Sequence, residues 1–146
     1  FKHIAAQTEA DASRAISLGA RPESVSVVGN LKFEMTAQAA LDGDRLNALR
    51  QQFSNGRTVW LAGSTHPGED EQVLAAHAEL LKIDASLLLI LVPRHPERFD
   101  SVCALCQEGF RVQRRSTLAH AEMLDSGVQV LLLDSMGELA NFIQIS

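Results

Sequence analysis

The chain alternates short apolar runs with longer amphipathic stretches, and this alternation is its strongest local signal. Ile4-Ala5-Ala6 is a short apolar run, followed by Thr8 with Glu9 and Asp11 behind it. That order predicts a strand and then a helix capped by Thr8, with acids in the positive first turn. The helix is expected to run to about Leu18 and stop at Gly19. Val25 to Val28 reads as the next strand, broken by Gly29-Asn30, with Lys32 and Phe33 just beyond. Leu46, Leu49, Arg50 and Phe53 recur at helical spacing after Asp44, and Ser54-Asn55-Gly56 closes them with a turn.

Beyond that point the alternation becomes regular. Val59 to Ala62 predicts a strand, and Gly68 to Lys82 a helix with Glu69, Asp70 and Glu71 in its first turn. Leu87 to Val92 is apolar throughout, the pattern of a parallel strand covered on both faces. Pro96 to Glu108 predicts a helix opening on proline and closing at Gly109. Phe110 to Arg114 and Val128 to Leu133 read as further strands, and a helix is expected from Met136 to the end at Ser146. Ser116 to Gly127 fits either a short helix or a loop. Strands separated by helices of this length imply an α/β fold, a parallel sheet with helices on both faces.

The length, 146 residues, allows about one domain, at roughly 150 residues each. The composition, 46% hydrophobic and 21% charged, is that of an ordinary globular chain. A net charge of −5 gives no support to a nucleic-acid footprint, although it leaves room for a locally basic cleft. No apolar run approaches the roughly 18 residues of a membrane-spanning helix. The start Phe1-Lys2-His3 has no signal-peptide pattern and no Met, so the chain is expected to begin inside a longer protein. Cys103 and Cys106 are spaced C-x-x-C but fall within the expected helix, and no second ligand pair accompanies them. They read as ordinary thiols, with no metal or cofactor implied.

In open parallel sheets ligands bind beyond the carboxyl ends of the strands. The segments placed there are Gly63 to Glu69, Pro93 to Phe99 and Asp134 to Leu139. Arg94 offers a planar fork for a phosphate, or else a surface pair with Glu97 or Asp100. His66 and His95 fit proton carriers or turn residues equally, while His77 in mid-helix and His120 in a weak segment read as structural or exposed. Gly63 to Gly68 lacks both the P-loop and the dinucleotide glycine patterns. Ser64 has no nucleophile elbow, which argues against a hydrolase. The acidic trio Glu69 to Glu71 reads chiefly as helix stabilisation. Asp134 or Ser135 could cap the last helix, Met136 could lie against a flat base, and Gly137 would let a ligand approach the backbone.

Together these segments resemble the 3-deoxy-D-manno-octulosonic acid (Kdo) transferases of lipopolysaccharide synthesis. The residues that carry the resemblance are IAAQTEAD (Ile4 to Asp11), LGA (Leu18 to Ala20), V-x-GNLKFE (Val27 to Glu34) and VWLAGSTHPGEDE (Val59 to Glu71). LLLILVPRHPERF (Leu87 to Phe99), RRS (Arg114 to Ser116) and DSMGEL (Asp134 to Leu139) complete the set, in family order. The combination of PRHPERF, STH-x-GE and MGEL is specific, where any one alone would be weak.

The resemblance implies a GT-B architecture of Rossmann-like domains. Residues 1–34 would close the acceptor domain, 35–43 would be a linker, and 44–146 would form an incomplete CMP-sugar-binding domain. It implies transfer of Kdo from CMP-Kdo to a lipid A precursor with inversion, at the cytoplasmic face of the bacterial inner membrane. Membrane and acceptor contacts would lie in the family's N-terminal part. CMP contacts would fall on Pro93, Arg94, Met136, Gly137 and Glu138, with Ser64, Thr65, His66 and His95 as a possible donor-site loop. The family's general base has no counterpart here, and neither Glu34 nor Glu138 matches it. A further glycine-rich donor motif would follow Leu139 in the family and has no match before Ser146. The chain alone is therefore expected to be inactive. A stand-alone nucleotide-binding or regulatory module of flavodoxin-like shape, and a nucleotide-sugar epimerase domain, are the alternatives.

Overall fold

A computed structural model describes residues 2–29, 43–119 and 122–146. The expected linker, with Lys32, Phe33 and Glu34 before it, lies outside the described residues apart from its last position, Gly43; so does His120. The chain forms two compact units, Phe1–Ala39 and Ala40–Ser146.

The first unit is a β-α-β element: β1 (Ile4–Ala6), α1 (Glu9–Ser17) and β2 (Val25–Val27). The strands run parallel, with Ile4 beside Val25 and Ala6 beside Val27. Thr8 caps α1 as expected, its hydroxyl oxygen accepting the Asp11 N–H at 3.1 Å. Gly19 ends the helix in the left-handed region at φ +99°, a conformation glycine adopts without penalty.

The second unit begins with α2 (Gly43–Phe53) and continues β3 (Val59–Thr65), α3 (Glu69–Leu81), β4 (Leu88–Pro93) and α4 (Phe99–Gln107). It closes with β5 (Val112–Arg114), β6 (Val130–Leu132) and α5 (Leu139–Ile143). The strands form one parallel four-stranded sheet in the order β3-β4-β6-β5. The expected parallel α/β sheet with helices on both faces is present.

The apolar strand β4 is central, and its period of two divides the core. Leu88, Ile90 and Val92 pack with Phe53 of α2, Phe142 of α5 and Leu118 and Leu124 of the β5–β6 connection. Leu89 and Leu91 face the other way, onto Leu74 of α3 and Val102, Cys103 and Cys106 of α4. Each fully buried Leu or Ile contributes about 1.5–3 kcal/mol over its exposed state, so this strand anchors the unit. Phe53 and Phe142 meet edge to face at 4.9 Å between centroids.

Three elements differ from expectation. The helix expected from Pro96 opens instead as a 3-10 turn over Pro96–Arg98, and α4 itself begins at Phe99. β3 runs through Gly63 and Ser64 to Thr65, beyond its expected end at Ala62, because pairing with β4 continues past a bulge to Thr65 beside Pro93. The last helix begins at Leu139, not Met136, and ends at Ile143. Gly137 sits at φ +85°, which breaks a right-handed helix. Between these, Arg115–Thr117 forms a 3-10 turn, and the described residues that follow to Gly127 are irregular. No helix among the described residues is long and apolar enough to cross a membrane.

Candidate functional site

Because all four strands of the sheet are parallel, the segments after β3, β4, β6 and β5 leave one sheet edge side by side. The segment after β3 opens with the bulge at Ser64, which takes φ +60° although it is not glycine. The bulge aims the Thr65 carbonyl at the next segment, where it accepts the Arg94 N–H at 2.9 Å. Thr65 itself is buried, and its hydroxyl donates to Asp70 at 2.6 Å. His66 and His95 are exposed, with ring centroids 5.9 Å apart in an edge-to-face arrangement. Ser64, Thr65, His66, Arg94 and His95 therefore form one cluster. Pro93 is the buried last residue of β4 and shapes the cluster through its backbone.

The arginines at this edge differ in what they hold. Arg98 pairs with Asp70, whose side chain is only 1% exposed, and also donates to the Thr65 carbonyl at 2.8 Å. Arg114 bridges Asp134 and Asp100, each at 2.6 Å. Arg115 pairs with Glu138 at 3.1 Å and lies 5.5 Å above the Phe53 ring. Arg94 is exposed, and its guanidinium has neither an ion pair nor a hydrogen bond among the described residues. The alternative of a surface pair with Glu97 or Asp100 is absent, since Asp100 is taken by Arg114.

The Ser135–Glu138 turn is not the capped helix start that was expected. Asp134 gives its carboxylate to Arg114 and to the Ser116 hydroxyl and N–H, at 2.6–2.8 Å, so it caps nothing on α5. Burial alone would raise the Asp134 carboxyl, but Ser116 and the Arg114 guanidinium together hold it below the usual carboxylate value. The Ser135 hydroxyl donates to the Glu138 carboxylate, which Arg115 also binds. Met136 is 76% exposed, and a Cβ added at Gly137 would meet no atom within 4 Å. The turn thus offers an apolar side chain beside an open stretch of backbone.

Several of these links are absent from the sequence reading. Asp70, expected with Glu69 and Glu71 to act as a helix-end charge, is buried, while Glu69 accepts the His66 N–H at 2.8 Å. The signal was present: Asp70, Leu74 and His77 fall at i, i+4 and i+7, and all three are buried along one stripe of α3. His77 accepts the Trp60 indole N–H on Nδ1 at 3.1 Å, so Nε2 carries the proton and donates to the Gln129 carbonyl at 2.9 Å. Burial lowers its pKa against the opposing effect of that carbonyl bond. Cys103 and Cys106 are free, buried thiols in α4; burial, then the nearby Cys103 and Asp70, push Cys106 up to about 12. Among the described residues no group of His, Cys, Asp and Glu could hold a metal ion.

The chain is similar to known proteins along most of its length. The chain is 42% identical to a 3-deoxy-D-manno-octulosonic acid transferase of Haemophilus influenzae over 93% of its own length. A transferase of the same name from Bordetella pertussis is 34% identical over 93% of the chain. The chain resembles the 3-deoxy-D-manno-octulosonic acid transferases over nearly all of its length. The family model described as 3-deoxy-D-manno-octulosonic-acid transferase (kdotransferase) matches residues 1–35. A crystal structure of the C-terminal CMP-Kdo binding domain of WaaA from Acinetobacter baumannii is similar at 35% identity and a TM-score of 0.54. That match covers 80% of this chain and 55% of the domain. The chain spans 31% of the length of each of the two transferases.

Proposed function

We propose that the Ala40–Ser146 unit binds the CMP part of CMP-Kdo, within a GT-B enzyme that transfers Kdo to a lipid A precursor. The observation that carries this reading is Arg94: an exposed arginine without a partner among the described residues, at the ligand edge of a parallel sheet where Arg98, Arg114 and Arg115 are each paired with an acid. The likeness to a CMP-Kdo binding domain supports the phosphate of CMP-Kdo as that anion. In this reading the Arg94 fork holds the donor phosphate, His66 and His95 flank it, and Met136 lies against the base or ribose beside the open backbone of Gly137.

The acceptor hydroxyl attacks the anomeric carbon from the face opposite CMP, and the bond from that carbon to the phosphate oxygen breaks with its electron pair. Arg94 then stabilises the charge that develops on the departing phosphate. The proton released by the acceptor goes to a base that this chain does not supply. Glu138 is unsuited to that task because Arg115 and Ser135 occupy its carboxylate. In our reading the reaction inverts the anomeric centre at the cytoplasmic face of the inner membrane, with membrane and acceptor contacts made by the N-terminal part of the enzyme. The 146-residue chain alone then performs no transfer. No specific observation favours a stand-alone regulatory module.

The test is Arg94→Ala in the full-length protein. Loss of one charge-assisted phosphate contact should raise the CMP dissociation constant about 10- to 100-fold. Unchanged affinity by calorimetry refutes the assignment.

A further inference from the structure

Arg94 and Arg98 lie in one short motif, yet only Arg94 is available to a ligand. Arg98 is 17% exposed and turned inward. Its guanidinium joins the segment after β4 to the segment after β3 twice, through the Thr65 carbonyl at 2.8 Å and through the Asp70 carboxylate. The other Asp70 oxygen receives the Thr65 hydroxyl at 2.6 Å. The Thr65 carbonyl therefore accepts both Arg98 and the Arg94 N–H, directly after the bulge at Ser64. Beyond the end of the β3–β4 pairing at Thr65 and Pro93, the other links between these loop tips among the described residues are that backbone bond and the exposed contact between the His66 and His95 rings.

We propose that Arg98 is a positioning residue for the donor phosphate: through Thr65 and Asp70 it fixes where the Arg94 guanidinium stands relative to His66. This rests on the donor-site reading above. A bidentate guanidinium–phosphate contact depends on alignment, so a loosened loop loses most of its value while the cation remains present. Lysine, with a single ammonium, cannot reproduce the planar fork that serves Thr65 and Asp70 together.

The experiment compares CMP with cytidine, which lacks the phosphate, by calorimetry on the full-length protein. Arg98→Met alone leaves Asp70 buried without its cation and is expected to fold poorly. The working variant is therefore Arg98→Met with Asp70→Asn, which keeps an acceptor for Thr65 and removes both charges. The preference for CMP over cytidine should fall about tenfold while cytidine affinity stays constant, with Arg98→Lys restoring part of it. Arg94→Ala should remove the same preference, and adding the Arg98 and Asp70 changes to it should remove nothing more. If the paired variant binds both ligands equally weakened, or keeps the full preference that Arg94→Ala abolishes, Arg98 is a structural residue and the inference fails. If Arg94→Ala itself leaves the preference intact, the donor-site reading falls first and this one with it.

Discussion

Acidification should weaken the second unit through one buried imidazole. His77 is fully buried in α3, accepts from Trp60 and donates to the Gln129 carbonyl, an arrangement that fits only the neutral ring. Protonation would place a charge in the core and turn Nδ1 into a second donor facing the Trp60 N–H. Burial accordingly holds the folded pKa below the value of about 6.5 expected in the unfolded chain. As pH falls through that unfolded value, the unfolded state binds the proton first and stability drops. The drop continues until the folded pKa is reached, at up to about 1.4 kcal/mol per pH unit for this one site. Above roughly pH 7.5 the contribution is constant. Urea unfolding from pH 8 to pH 5 should show this slope, and His77→Gln should remove it. Gln can accept from Trp60 and donate to Gln129 without titrating. A His77→Gln protein with the parent's slope over this range would refute the assignment. His77→Leu leaves the Trp60 N–H without its partner, while the Gln129 carbonyl keeps the Leu89 N–H at 3.0 Å, and should cost about 1–3 kcal/mol for the indole N–H if it stays dry.

Three further outcomes are expected. Asp134→Asn loses the charge-assisted bond from Arg114 and should cost about 1.5–3 kcal/mol at neutral pH by urea unfolding. Because the folded Asp134 pKa is depressed, its stabilisation is present above about pH 4 and lost as pH falls through the folded value, so the variant should also show a shallower acid limb. Gly137→Val should destabilise by about 1–2 kcal/mol from the left-handed backbone alone, whereas Gly137→Asn should lose far less; equal losses would show that side-chain crowding decides instead. Cys103 and Cys106 should resist alkylation at pH 8 until urea unfolds the chain, as counted by mass spectrometry, since burial holds the Cys106 thiol protonated.

The strands and helices of the sheet were largely legible because each is a local pattern. β4 is a continuous apolar run, α1 has its threonine cap and glycine stop, and α3 and α4 have helical spacing. What the sequence did not show depends on residues far apart in the chain. The extension of β3 needs Pro93 beside Thr65, and the failure of Asp134 to cap α5 needs Arg114 and Ser116 to reach it first. A capping residue and an ion-pair acceptor look identical in sequence, and only the neighbour supplied by the fold decides between them. The candidate site follows the same division. Strand-end position singled out Arg94, His66 and His95, but the inward turn of Arg98 required knowing that Asp70 is buried.

On the proposed donor-site reading, the pairing of the edge arginines explains how a chain of net charge −5 would present a site for an anion. At physiological salt a charge is felt over only about 8 Å, so the field at the sheet edge is set by local groups and not by the total. Asp70, Asp134, Asp100 and Glu138 are already engaged by Arg98, Arg114 and Arg115, which leaves Arg94 as the edge arginine without an acid partner among the described residues. The paired arginines also do mechanical work: each ties one loop of the edge to another or to a neighbouring helix. Charge reversal should separate the two roles. The control Asp100→Glu keeps the sign at an exposed partner of Arg114 and changes little, whereas the reversal Arg94→Glu removes the cation and adds repulsion for phosphate. A larger loss of CMP affinity for Arg94→Glu than for Arg94→Ala, shrinking as salt is raised, is the signature of a local field. Equal losses at every ionic strength would mean that Arg94 contributes shape or packing and that the positive charge of the edge comes from elsewhere.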